Sequence, residues 1–199
     1  MLQKLKKTKS VTVEPSVIND KVIKDIALAM IGLNDPYTAT HIEEVAELVQ
    51  AIGTRVGLSD HEIEELALAG FLHDVGKQAI PSSILSKPAE LTDEEFSLVK
   101  THVNIGVQLL EYANVSPSII RIVAEHHERL DGSGYPNGLK GDEISRSGQI
   151  LAIADVVSAV TSKRTYRLAA STDEVIEILN ASCPDKFDQD LVDATISCL

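Results

Sequence analysis

The chain has 199 residues, 44% hydrophobic and 24% charged, with 4% aromatics and no Trp, which suits one domain whose core is built from Leu, Ile, Val and Ala on packed helices. Its formal net charge of -12 argues against non-specific DNA, RNA or anionic-membrane binding, which need a dense basic footprint, but leaves room for a small anionic ligand where metal ions or a few local cations invert the sign. No apolar stretch follows Lys4, Lys6, Lys7 and Lys9, and no run of about 18 apolar residues occurs, so the reading is a cytoplasmic chain without a signal or membrane-spanning segment.

Residues 1–15 are polar and aperiodic and read as a flexible lead-in to a single domain over 16–199. A helical pattern carries Val17, Val22, Ile26 and Met30 and ends near Gly32. Over 41–56, Ile42, Val45, Val49, Ile52 and Val56 follow the 3–4 rhythm of an amphipathic helix. Ser59 with Glu62 forms a capping box that opens the next helix, which runs through Leu66 and Phe71 to a stop at Gly76. Thr92 with Glu95 opens another through Phe96, Leu98 and Val99. Ser116–Pro117 suits an N-cap and first helical position, ahead of Ile119, Ile120, Ile122 and Val123. Asp131, Gly132, Gly134, Pro136, Asn137, Gly138 and Gly141 crowd into a structured loop. Helices resume over 147–163, 171–181 (Ser171 with Glu174) and 188–198. The fold expected is an all-α compact bundle of about seven or eight helices. Cys183 and Cys198 have no ligand-like spacing and read as free thiols.

Six histidines carry the chemical signal: His41, His61, His73, His102, His126 and His127. His61 reads as solvated. His41 shares a helix face with Val45, Leu48 and Ile52 and points toward the core. On its own it is better explained as a satisfied core histidine, and the same holds for His102. His73–Asp74 closes an apolar helix before Val75–Gly76–Lys77. A carboxylate beside an imidazole is a common ligand pair, and a carboxylate can bridge two ions. His126–His127 closes another apolar helix at the rim of the glycine-rich loop. Asp155 lies in Ile150–Val157, apolar on nearly every side, where an unpaired carboxylate costs several kcal/mol. Its partner is either a Lys or Arg or a metal. Together these residues supply five imidazoles and two carboxylates, enough for two divalent ions in the clamp used for phosphoester hydrolysis. Such a donor set suits Fe, Mn, Zn or Ni better than Mg.

His73–Asp74–Val75–Gly76–Lys77 resembles the signature of the HD superfamily of metal-dependent phosphohydrolases. His126–His127–Glu128–Arg129 followed by Asp131–Gly132–Ser133–Gly134–Tyr135–Pro136 resembles the signature of its HD-GYP subfamily. Ile84–Leu85, Lys87–Pro88, Leu91–Thr92, Thr101–His102, Asp155, Thr161–Ser162, Arg164, Tyr166 and Arg167 match in order, so the resemblance spans roughly 35–195. It implies hydrolysis of cyclic di-GMP to linear pGpG or on to GMP, in bacterial second-messenger signalling. It also implies two divalent metal ions, Fe or Mn first, with Zn or Ni as alternatives. His41, His73, Asp74 and Asp155 would hold one ion, and Asp74, His102, His126 and His127 the other. Asp74 and Lys77 would be catalytic. Lys77, Arg164 and Arg167 would meet substrate phosphate, and Gly134, Tyr135 and Pro136 would shape the cleft.

Two departures bear on this. Where some members place a Glu four residues before the first His and use it for a third metal, this chain has Tyr37, which points to two metals. Where the family often has Pro, this chain has Thr165. Glu128 reads as a surface charge rather than the proton donor to the leaving group, and Asp131 as a turn residue. The competing reading is a non-catalytic module that binds a cyclic dinucleotide or a protein. Against it, every ligand position is retained. A third reading, a hydrolase of other nucleotides, fits the paired histidines and the Gly134–Pro136 loop poorly. In the family the catalytic domain is often attached to a sensory or receiver domain. None is visible here, so the expectation is either a fragment of a longer protein or control by a separate partner, a regulatory or diguanylate-cyclase-type protein being the candidate.

Overall fold

The computed structural model describes residues 22, 24–25, 36–161 and 170–199. The lead-in over 1–15, most of the helical pattern from Val17 to Gly32, and Arg164, Thr165 and Arg167 lie outside the described residues, and Tyr37 is described in its backbone alone. Among the described residues there are eight α-helices of at least two turns and no strand: α1 (Pro36–Arg55), α2 (Asp60–Leu72), α3 (Asp93–Lys100), α4 (His102–Tyr112), α5 (Pro117–Glu125), α6 (Arg146–Thr161), α7 (Thr172–Ala181) and α8 (Gln189–Ile196). A single helical turn, Ser82–Leu85, and two 3₁₀ turns, Val75–Ala79 and Gly141–Glu143, complete the set. The all-α expectation therefore holds.

Local sequence chemistry sets most helix starts. Ser59, Thr92 and Ser171 each accept from the backbone of the Glu three residues on, and that Glu returns to the capping residue. Each box satisfies donors that a helix start otherwise leaves orphaned, worth about 1 kcal/mol. Pro117 occupies the first turn of α5.

Burial organises the rest. α6 is the central helix: Ile150, Leu151, Ala152, Ile153, Ala154 and Val157 are all buried, and α1, α2, α5, α7 and α8 pack around it. α1 brings Ile42, Val45, Ala46, Val49 and Ile52 to the core, each fully excluded from solvent. A fully buried Ile or Leu contributes about 1.5–3 kcal/mol relative to exposure, so this stripe locks the rotation of α1 and with it the direction of His41. At the α1–α2 crossing, a Cβ on Gly70 would come within 3.1 Å of the Ala46 Cα, so the absence of a side chain lets the two backbones meet. No described helix is long and apolar enough to cross a membrane.

Three features differ from expectation: the helix read over 41–56 begins at Pro36, α4 has no counterpart among the expected helices, and the end of α2 falls earlier. The helix expected to stop at Gly76 ends at Leu72, and a 3₁₀ turn covers Val75–Ala79. Gly76 is there for space. A Cβ on it would sit inside contact distance of the His102 carbonyl and 2.6 Å from the Gly106 amide. This turn therefore lies directly against the start of α4.

Candidate metal centre

Five elements deliver the seven residues expected to bind metal. His41 comes from α1. His73 is the C-cap of α2, and Asp74 leads into the 3₁₀ turn. His102 opens α4, His126 is the C-cap of α5 with His127 beside it, and Asp155 lies in α6. The structure brings all seven together. Ligand atoms of His102, His126 and His127 lie within 4.8 Å of one another, as do those of His41, His73 and Asp155. Asp74 sits between the triads, with Oδ2 3.4 Å from His73 Nε2 and Oδ1 3.5 Å from His102 Nε2. Asp155 reaches the first triad through His41 Nε2 at 3.2 Å and His73 Nε2 at 3.7 Å, and the second through His127 Nδ1 at 3.8 Å. Its ion-pair partners among the described residues are thus imidazoles.

The tautomers follow from hydrogen bonding. His73 Nδ1 lies 2.7 Å from the Gly70 carbonyl, His102 Nδ1 2.7 Å from that of Val99, and His126 Nδ1 2.5 Å from that of Val123. A carbonyl only accepts, so each Nδ1 carries a proton and Nε2 is the nitrogen that each ring turns into the cluster as a ligand atom. His41 is oriented from another helix: its Nδ1 is 2.8 Å from Ser158 Oγ, which in turn donates to Glu44 at 2.8 Å. The result is imidazole nitrogens facing carboxylate oxygens in a site that is largely buried, with Asp155 and His127 partly exposed. His73 Nε2 and Asp74 Oδ1 are buried without a hydrogen-bond partner. His102 Nε2 and His126 Nε2 face each other at 3.4 Å. Such an arrangement is unfavourable unless a cation lies between the donors, and the donor set fits a metal ion.

The electrostatics agree. Burial lowers the proton affinity of His73, but Asp74 and Asp155 outweigh it and its pKa is raised, so the space before its Nε2 attracts positive charge. Burial would raise Asp74, yet Lys77, His73 and His102 hold it well below the usual range, with Lys77 Nζ 2.5 Å from Oδ2. Burial would likewise raise Asp155, and His41, His73 and His127 bring it down. Burial pushes His126 well down, lowers His102, and takes His127 to about 3. These three rings are neutral and ready to ligate at neutral pH.

The matched family is described as the HD domain, over residues 22–191. This chain belongs to the HD domain family. A Pseudomonas aeruginosa protein named cyclic di-GMP phosphodiesterase is 40% identical over 152 residues, 76% of this chain and 37% of its own length. A Vibrio cholerae protein named 3′3′-cGAMP-specific phosphodiesterase 2 is 40% identical over 158 residues, 78% of this chain and 30% of its own length. This HD domain chain therefore spans well under half the length of these relatives. A solved HDG"Y"P protein from Bdellovibrio bacteriovorus superposes with a TM-score of 0.69 at 18% identity, covering 90% of this chain and 63% of that one, which supports the fold. The HD-GYP resemblance read from the sequence agrees with these relatives.

The loop after the paired histidines of this HD domain corrects one expectation. Glu128 is not a surface charge: it is 1% exposed, and its carboxylate accepts from the Asn137 amide at 2.7 Å and the Leu139 amide at 3.0 Å. The Tyr135 amide donates to the His127 carbonyl at 3.2 Å. A Cβ on Gly134 would fall 2.6 Å from the Arg129 amide. The loop is thereby tied to the backbone that carries His126 and His127, and the Tyr135 ring stacks on His127 at 4.6 Å between centroids. Asp131 makes the expected turn, its Oδ1 accepting from the Ser133 amide at 2.8 Å. His61 is exposed as expected. Sequence reasoning missed Ser158, Glu44 and the inward direction of Glu128. The signal for Glu128 was its place between two histidines and a glycine-rich loop, whose many backbone amides need an acceptor.

Proposed function

We propose that the chain is a metal-dependent phosphodiesterase that hydrolyses cyclic di-GMP to pGpG, GMP or both, in second-messenger signalling. The observation that carries this reading is the pair of largely buried triads joined by Asp74, with imidazole nitrogens turned toward the carboxylates of Asp74 and Asp155. His41, His73, Asp74 and Asp155 would hold one divalent ion, and Asp74, His102, His126 and His127 a second. Fe or Mn is favoured, with Zn or Ni as alternatives. Ions so held would polarise a phosphoryl group and make water nucleophilic near neutral pH.

The chain's own groups complete the site. Lys77, its side chain 30% exposed, would add positive charge where the phosphoryl oxygens gain negative charge. Burial, with Asp155 and Asp74, raises the Tyr135 pKa, so its hydroxyl stays protonated and able to donate. Gly134, Tyr135 and Pro136 would wall the cleft beside His127 and limit water there. Arg164 and Arg167 would bind substrate phosphate, a role that rests on the resemblance alone. Relatives named for 3′3′-cGAMP make that dinucleotide the nearest rival substrate. A cytoplasmic setting and a regulatory or diguanylate-cyclase-type partner belong to the same proposal.

The test is anaerobic purification, metal quantification, and incubation with cyclic di-GMP in Mn or Fe(II), with products separated by chromatography and Asp74→Ala as control. Linear product from the wild type alone supports both the activity and the bridging role. Bound metal without turnover of cyclic di-GMP or 3′3′-cGAMP would favour a binding module instead.

A further inference from the structure

At the mouth of the metal cluster, three side chains from two elements meet without a structural need. Phe96 of α3 is 44% exposed although it is one of the chain's few aromatics. Its ring meets Tyr135 edge to face at 6.4 Å. Lys100, one turn on in α3, holds Nζ 4.7 Å from the Phe96 centroid and 5.3 Å from that of Tyr135. Tyr135 in turn lies on His127. An exposed ring, a second ring and a cation thus form a ledge two ring contacts away from a candidate metal ligand. A solvated Phe here contributes little to the core, and the Lys100 ammonium is held beside two aromatic rings.

We propose that Phe96 and Lys100 form a purine subsite that stacks one base of the dinucleotide and selects guanine. This rests on the phosphodiesterase reading above. Aromatic faces stack any base, and the sugar of a nucleotide sets its base one short arm from its phosphate, which suits a ledge beside His127. Selection comes from the cation. Guanine offers two acceptors, O6 and N7, on one edge, and adenine replaces O6 with an amino donor. The Lys100 ammonium has only donors, so it rewards guanine and meets the adenine amino group unfavourably.

The test compares steady-state kinetics on cyclic di-GMP and cyclic di-AMP for wild type, Phe96→Ala, Phe96→Trp and Lys100→Met, using inhibition constants for any dinucleotide that is not turned over. Circular dichroism and metal content verify that each variant is intact. Phe96→Ala is expected to raise KM for cyclic di-GMP about 5- to 30-fold with kcat retained, and Phe96→Trp to restore it. Lys100→Met is expected to lower the preference for guanine about tenfold. If Lys100→Met weakens both dinucleotides equally, the lysine serves phosphate rather than base and the guanine assignment fails. If KM is unmoved in Phe96→Ala, the stacking assignment fails while the phosphodiesterase stands. A wild type that neither turns over nor binds a cyclic dinucleotide removes the underlying reading and this one with it.

Discussion

Gly76→Ala tests whether the metal centre depends on the close approach of the Val75–Ala79 turn to α4. The added Cβ would lie 2.6 Å from the Gly106 amide, where ordinary contact begins near 3.4 Å, and closer still to the His102 carbonyl. Both obstacles are backbone, so no side chain can rotate away. To clear the His102 carbonyl the turn and α4 must separate by more than about an ångström, which costs about 1–3 kcal/mol by overpacking. The same displacement moves His102 relative to Asp74, whereas ligand positions tolerate only about 0.2 Å. The facing glycine is the control. A Cβ on Gly106 would meet its nearest atom, the Gly76 amide nitrogen, at 3.5 Å, and Ala in a helix interior gains up to about 1 kcal/mol over Gly. We therefore expect Gly76→Ala to lower Tm by roughly 3–10 °C and to lose metal, chiefly from the His102 set. Gly106→Ala should be neutral or slightly stabilising with full metal content. Differential scanning fluorimetry and elemental analysis of the two proteins check this. Equal behaviour of the two variants would refute the argument, because it assigns the glycines opposite roles.

Three further outcomes are expected. Glu128→Gln removes one of the two acceptors serving Asn137 and Leu139 and the charge that strengthens both, a loss of about 1.5–3 kcal/mol; kcat/KM should fall while metal content holds, and unchanged kinetics would count against loop anchoring. Ser158→Ala deprives His41 Nδ1 of its partner and should weaken metal binding about 10- to 100-fold, measured by chelator competition, with wild-type affinity as the contrary result. In metal-free protein, burial takes His127 down to about 3 when folded against 6.5 for a free imidazole, and burial lowers His102 and His126 as well. The unfolded chain therefore takes up protons first as pH falls below about 6.5, and stability drops toward pH 3. Asp74 and Asp155, both lowered, add to the loss below the ordinary aspartate value of 3.8. His73, raised, works the other way, its contribution being lost as pH rises through its folded pKa. Urea midpoints should thus fall from pH 7 to pH 5 after chelation, and a flat or rising series would contradict the burial of neutral imidazoles.

Helix identities were readable from the chain because their signals are local. The boxes at Ser59, Thr92 and Ser171 and the apolar stripe from Ile42 to Ile52 are decided within one or two turns of backbone. The candidate ligands could be named for a similar reason, since a carboxylate at Asp155 among Ile150–Val157 demands a partner wherever the chain folds. What the sequence left open was who that partner is. The choice between a Lys or Arg and an imidazole cluster was made by α1, α2 and α5 converging on α6, contacts between residues more than twenty positions apart. The direction of Glu128, the support of His41 by Ser158 across 117 residues, and the spatial demand on Gly76 belong to the same class. Composition and periodicity report a residue's preference for water or for a helix. Which oxygen meets which nitrogen depends on how rigid helices pack, and only the tertiary structure decides that.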